Sequence, residues 1–172
     1  NVLLAACCAG GTTTITNAAR EPEICDLADF LNCCGAKISG AGDSTIVIEG
    51  VKSLHGCEHE VIPDRIAAAT YLAATAATGG SIILNHVVPE HLAPVLPLFE
   101  ESGCRFAIHE KEIYMSAPSR LGRIKNVRTM PYPGFPTDAQ APMMAMAAVA
   151  NGTSIFVENI FESRYKHVGE LL

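Results

Sequence analysis

A recurrence along the chain constrains its fold more than any single motif does. Ala-rich stretches end in Gly-Gly or Asn-Gly and run directly into β-branched segments at Gly11-Thr12, Gly80-Ser81 and Gly152-Thr153. From 11 to 80 is 69 residues and from 80 to 152 is 72. Such intervals are too long for a solenoid repeat and suit a supersecondary unit used three times. The units span about 1–60, 61–126 and 127–172, the last breaking off inside its outer helix. The common order is helix, strand, helix, strand, strand, with a leading strand expected near Val61 and Val127, so that each unit reads βαβαββ.

Local signals fill in the units. Thr13 to Thr16 reads as a strand. Pro22 opens a helix at a position where a missing N–H costs nothing. Ile24, Leu27, Ala28 and Leu31 share one face of it, and Gly35 ends it in the left-handed conformation. Lys37–Ser39 and Thr45–Glu49 form a hairpin around Gly40-Ala-Gly-Asp43. The second unit repeats this with Ile82–Leu84, a helix from Pro89 to Ser102, and strands near 105–108 and 113–116. Pro94 and Pro97 should kink or shorten that helix. Ile66–Thr78 and Ala141–Ala150 carry small or apolar residues on every side, so both helices should be buried. The fold class is α/β (α+β).

Composition excludes several classes. With 172 residues, 17% charged and mean hydropathy +0.25, the chain has ample apolar material for a core. The net charge is −6 and no basic stripe appears, which weighs against nucleic-acid binding. No run is apolar and long enough to span a bilayer. Seven cysteines, two pairs of them adjacent, form no framework and read as reduced thiols of a cytoplasmic protein. The apolar start Asn1–Cys8 reads as a chain entered inside a helix, with residues upstream of it.

Four polar constellations carry chemistry or mimic it. Asp64 and Asp138 each stand at the start of an Ala-rich helix, where a carboxylate serves as cap or dipole partner. A helix start is equally a place to hold a working carboxylate. Thr137 and Gln140 have capping-box spacing. Arg20–Glu23 and Glu162–His167 follow the short strands of units one and three, in loops of the kind that present functional groups. An Arg there can clamp a carboxylate with two hydrogen bonds. His55-Gly-Cys-Glu-His59 matches a zinc-peptidase string, but that motif needs a helix, and Gly56 with β-type flanks points to a linker instead. Gly40-Ala-Gly-Asp43 reads as a hairpin turn rather than a dinucleotide fingerprint.

Asn17-Ala-Ala-Arg-Glu-Pro-Glu-Ile24, Val61-Ile-Pro-Asp-Arg-Ile66, Phe135-Pro-Thr-Asp-Ala-Gln140 and Phe161-Glu-Ser-Arg-Tyr-Lys-His167 together resemble the UDP-N-acetylglucosamine 1-carboxyvinyltransferases, which are enolpyruvyl transferases. The resemblance covers the whole chain. It implies an inside-out α/β barrel of three repeated units, with residues 1–172 forming most of one domain of two. It implies small-molecule substrates, phosphoenolpyruvate and UDP-N-acetylglucosamine, no cofactor or metal, and a role in peptidoglycan synthesis; the sequence leaves the oligomeric state open, with a monomer the simplest expectation. The family's catalytic cysteine and a phosphate-binding Lys and Arg belong to the other domain, and none of the seven cysteines matches that motif.

Position by position, the resemblance makes Asp138 the base at the sugar 3-hydroxyl and Ile160 a backbone contact to the sugar nucleotide. It makes Arg164 the partner of the phosphoenolpyruvate carboxylate, and Glu21 an acidic residue at the rim. Asp64 and Arg65 are expected to be structural. Three departures stand out: Ala67–Thr70 replace an acidic residue followed by Gly and Thr, Ser163 replaces a frequent Asn, and Pro142 replaces a polar residue. These leave open a divergent relative with altered substrate or lowered activity, or a non-catalytic relative that binds a nucleotide sugar; residues 1–172 alone are expected to be inactive.

Overall fold

Two compact units, Asn1–Ile62 and Pro63–Leu172, make up the chain. The computed structural model describes residues 1–171.

In Asn1–Ile62, α1 (Val2–Ala6) leads into β1 (Thr12–Thr16), α2 (Pro22–Cys33), β2 (Lys37–Ser39) and β3 (Thr45–Glu49). The strands form one antiparallel sheet in the order β1-β3-β2, with Thr14 opposite Val47 and Ile38 opposite Ile48. Alternation along β3 sends Ile46 and Ile48 into the core, where they meet Ala28 and Leu31 of α2 and Leu3, Ala6 and Cys7. Pro22 starts α2, and the helix stops where Gly35 takes φ 95°. Asn32 then acts as a short strand: its side chain accepts from Ile38 N at 2.8 Å and donates to Ile38 O at 2.9 Å.

In Pro63–Leu172, α3 (Arg65–Thr78) precedes β4 (Ser81–Asn85), a 3-10 turn at Pro89–Leu92, α4 (Leu96–Glu101), β5 (Arg105–His109) and β6 (Glu112–Ser116). The sheet order is β4-β6-β5, antiparallel, the arrangement of the first unit again. Next come β7 (Asn126–Arg128), a 3-10 turn at Thr137–Ala139, α5 (Gln140–Ala148), β8 (Ile155–Val157) and α6 (Val168–Leu171). β7 and β8 pair in parallel. One core joins Ala69, Leu72, Ala73 and Ala76 of α3 to Phe99, Ile113, Met115, Met143 and Met146.

Asp64 caps α3, accepting from Ile66 N at 2.8 Å and Ala67 N at 3.0 Å. Gly79, at φ 73°, closes it. The prolines split the expected helix 89–102 into the 3-10 turn and α4. Pro142 falls in the first turn of α5, where its missing N–H removes no helical bond.

Two expectations are corrected. No strand forms at Val61: residues 50–64 are irregular, and Ile62 N donates to Asp26 Oδ1 at 3.4 Å. The helix α3 is buried on one face only, with Tyr71 63% exposed and Ala67, Thr70, Ala74 and Thr78 also open. Its threonines mislead because Thr70, Thr75 and Thr78 turn their hydroxyls onto Ile66, Tyr71 and Ala74 carbonyls at 2.8–2.9 Å. The open side bears only small Ala and Thr side chains and Tyr71, so it exposes little apolar surface to water.

Candidate functional site

The parallel pair β7/β8 delivers two loops of Pro63–Leu172 to one place. Thr129 follows β7 and donates its N–H to Val157 O at 3.0 Å, extending the ladder. The chain then turns tightly, with Gly134 N donating to Pro131 O at 2.8 Å and Met130 N to Phe135 O at 3.0 Å. A Cβ at Gly134 would run into the Met130 side chain, so the turn needs glycine there. The turn returns the backbone to Pro136 and opens the 3-10 turn that carries Asp138.

Glu158, one residue beyond β8, organises both loops. Its Oε1 accepts from Thr129 Oγ1 and Ile160 N, both at 2.8 Å, and from Phe161 N at 3.1 Å. Its Oε2 accepts from Thr137 Oγ1 and Gln140 Nε2, both at 2.9 Å. Burial alone would push this carboxyl up. Hydrogen bonds from Ile160 N, Thr129, Thr137 and Phe161 N outweigh burial and hold it below its ordinary 4.5. Thr137 and Gln140 therefore form no capping box, because both side chains are spent on Glu158 and neither reaches the helix backbone. Gln140, 1% exposed, keeps its Oε1 buried without a partner.

With Glu158 as anchor, the segment Glu158–Tyr165 wraps an open cavity of about 540 Å³. Ser163 sits at φ 56° within it, a left-handed conformation that turns the chain and aims Arg164. The Arg164 guanidinium lies 5.4 Å from the Phe161 ring centroid and pairs with the carboxylate of Asp138. Asp138 caps neither its own turn nor α5. Its side chain is 62% exposed and that of Arg164 38%. Tyr165 fixes the far end of the loop by donating to Phe156 O at 3.0 Å.

Of the residues singled out in the sequence, Asp138, Ile160 and Arg164 come together here. Ile160 spends its N–H on Glu158 and is 37% exposed. Glu21 lies in the other unit, at the N-cap of α2, with Oε2 buried and unpartnered. Arg65 packs its guanidinium 5.4 Å from the Tyr132 ring centroid. His55 and His59 lie on irregular backbone: His55 Nδ1 is 3.0 Å from Gly56 O, and His59 Nε2 is 2.9 Å from Asp26 Oδ1. Glu158 was missed, although Gln140 on an apolar helix face already demanded a polar partner.

The EPSP synthase (3-phosphoshikimate 1-carboxyvinyltransferase) family matches over residues 1–172. This chain belongs to that family. Within it, similarity runs strongly to sugar-nucleotide enzymes. The chain is 48% identical over 171 residues to UDP-N-acetylglucosamine 1-carboxyvinyltransferase 1 of Caldanaerobacter subterraneus subsp. tengcongensis, and 47% over 172 to enzyme 2 of the same organism. It spans 41% of the length of each. Among solved structures, the enolpyruvyl transferase NikO of Streptomyces tendae aligns with a TM-score of 0.84 at 26% identity, covering 98% of this chain and 40% of NikO. An Acinetobacter baumannii EPSP synthase structure aligns at 0.66 and 21%, again covering 98% of this chain and 40% of that one, which supports the α+β fold alone. No helix among the described residues is long and apolar enough to cross a membrane.

Proposed function

We propose that the protein containing this chain transfers the enolpyruvyl group of phosphoenolpyruvate to the 3-hydroxyl of UDP-N-acetylglucosamine and releases phosphate. The observation that carries this reading is the Asp138–Arg164 pair: an exposed carboxylate, free of capping duties, beside a guanidinium that lines an open cavity. Asp138 takes the proton of the 3-hydroxyl, which requires direct contact with it. The sugar oxygen attacks C2 of phosphoenolpyruvate while C3 gains a proton, giving a tetrahedral ketal. Loss of phosphate and of a proton from C3 then leaves the enol ether. Arg164 presents a fork of donors suited to the phosphoenolpyruvate carboxylate. Asp138 pairs with this guanidinium, so an incoming carboxylate must share or displace that contact.

Ile160 offers its carbonyl to the sugar nucleotide, since Glu158 holds its N–H. Glu21 is assigned to the substrate rim of its own unit. The matching sheet orders of the two three-stranded sheets support three repeated βαβαββ units in an inside-out barrel. This reading assigns the protein to the cytoplasm and to peptidoglycan synthesis, and so to cell shape and division.

The test is phosphate release by the full-length protein from phosphoenolpyruvate with UDP-N-acetylglucosamine, run beside shikimate 3-phosphate. Turnover with the sugar nucleotide, lost in Asp138→Ala, is expected. Turnover with shikimate 3-phosphate alone, or full activity of the variant, overturns the reading.

A further inference from the structure

Three thiols of Asn1–Ile62 stand together and take no part in the proposed chemistry. Cys33 and Cys34 end α2, and Cys57 lies on the irregular connection after β3. Cys57 Sγ is 3.4 Å from Cys34 Sγ, and Cys33 Sγ donates to Glu58 O, the residue after Cys57, at 3.6 Å. Their exposure is graded: Cys33 is exposed, Cys57 half-buried, Cys34 buried. The connection is pinned to α2 on both sides of Cys57. His55 N donates to Cys34 O at 2.9 Å, and His59 Nε2 lies 2.9 Å from Asp26 Oδ1. Little motion is therefore needed for Cys34 and Cys57 to reach the ~2.05 Å of a disulfide.

We propose that Cys34 and Cys57 are a redox pair that closes to a disulfide by exchange with a small-molecule disulfide, with Cys33 as the entry thiol. The Cys33 thiolate attacks one sulfur of the reagent and expels its first thiol. Cys57 then attacks Cys33 Sγ and expels the second thiol. Cys34 attacks Cys57 Sγ, and Cys33 leaves as a thiol again. In sum two protein thiols and one disulfide give one protein disulfide and two small thiols. Hydrogen bonding to Cys33, burial and the Cys34 contact together push the Cys57 thiol up to about 12, so Cys57 is a poor first nucleophile. Cys33, exposed and held to Glu58 O at 3.6 Å, presents its mixed disulfide beside Cys57 for the second step. The product ties the 51–62 connection covalently to the end of α2.

The full-length protein is incubated with oxidised glutathione, quenched with iodoacetamide and mapped by non-reducing peptide mass spectrometry. A Cys34–Cys57 linked peptide is expected, together with slower tryptic cleavage after Lys52. Cys33→Ser should slow its formation at least tenfold without lowering its final extent. Cys57→Ser should leave a glutathione adduct on Cys33, with circular dichroism verifying the fold of each variant. A folded protein that gives only the Cys33 adduct or a Cys33–Cys57 link overturns the pair. So does a Cys34–Cys57 link that forms equally fast in urea-unfolded protein. A Cys33→Ser variant that closes at the wild-type rate overturns the entry role.

Discussion

Asp138 and Arg164 touch each other, yet their removal should have different kinetic signatures. Asp138→Ala in the full-length protein should lower kcat by about 100- to 10,000-fold, the range of a positioned general base. Arg164→Lys keeps the charge and loses the fork. It should cost on the order of 10- to 100-fold in kcat/KM, carried by KM for phosphoenolpyruvate, as a charged hydrogen bond of about 1.5–3 kcal/mol implies. Steady-state kinetics with each substrate varied separates the two. Ser163 between them is a conformational cost, because a non-glycine residue at φ 56° is strained and Asn tolerates that region better. Ser163→Asn should therefore raise stability by a few tenths to about 1 kcal/mol in urea unfolding, with activity kept.

At the level of elements, the joint between β7, β8 and α5 is held by one carboxylate. Since hydrogen bonds keep the Glu158 carboxyl below its ordinary value, the unfolded chain binds its proton more readily than the folded one. Its contribution is thus fully present above the unfolded value and is lost as pH falls through the folded one. Glu158→Gln should flatten the fall of stability below about pH 4.5, and Glu158→Ala should cost about 2–4 kcal/mol at neutral pH by stranding buried donors; urea unfolding across pH reads both.

The sequence showed which elements exist here and misjudged how they join. The Pro22 start, the Gly35 and Gly79 stops and the alternation of Thr45–Glu49 are local signals, and the strands and helices follow them. Thr137 and Gln140 read as a capping box because local spacing cannot reveal Glu158, 18 residues beyond Gln140, which claims both side chains. Asp138 and Arg164, 26 residues apart, each have a role only through the family resemblance, and nothing in the spacing brings the two side chains into contact.

Across the whole chain, the apolar core falls into two clusters, one in Asn1–Ile62 and one in Pro63–Leu172. The β1-β3-β2 and β4-β6-β5 sheets have the same order, but each builds its own apolar cluster: Ile48 lies at 0% exposure in one and Leu72 at 0% in the other, and the two clusters share no residue. Truncating a fully buried Ile or Leu to Ala costs about 2–5 kcal/mol, and distant sites without shared partners add. Ile48→Ala and Leu72→Ala should therefore each lower amide-exchange protection within their own cluster, Asn1–Ile62 for the first and Pro63–Leu172 for the second, and the double variant should show the sum. Hydrogen exchange followed by peptide mass spectrometry resolves the two regions. Loss of protection that spreads equally through both from either single substitution would mean that the chain unfolds as one cooperative body, with the repeat governing topology and not stability.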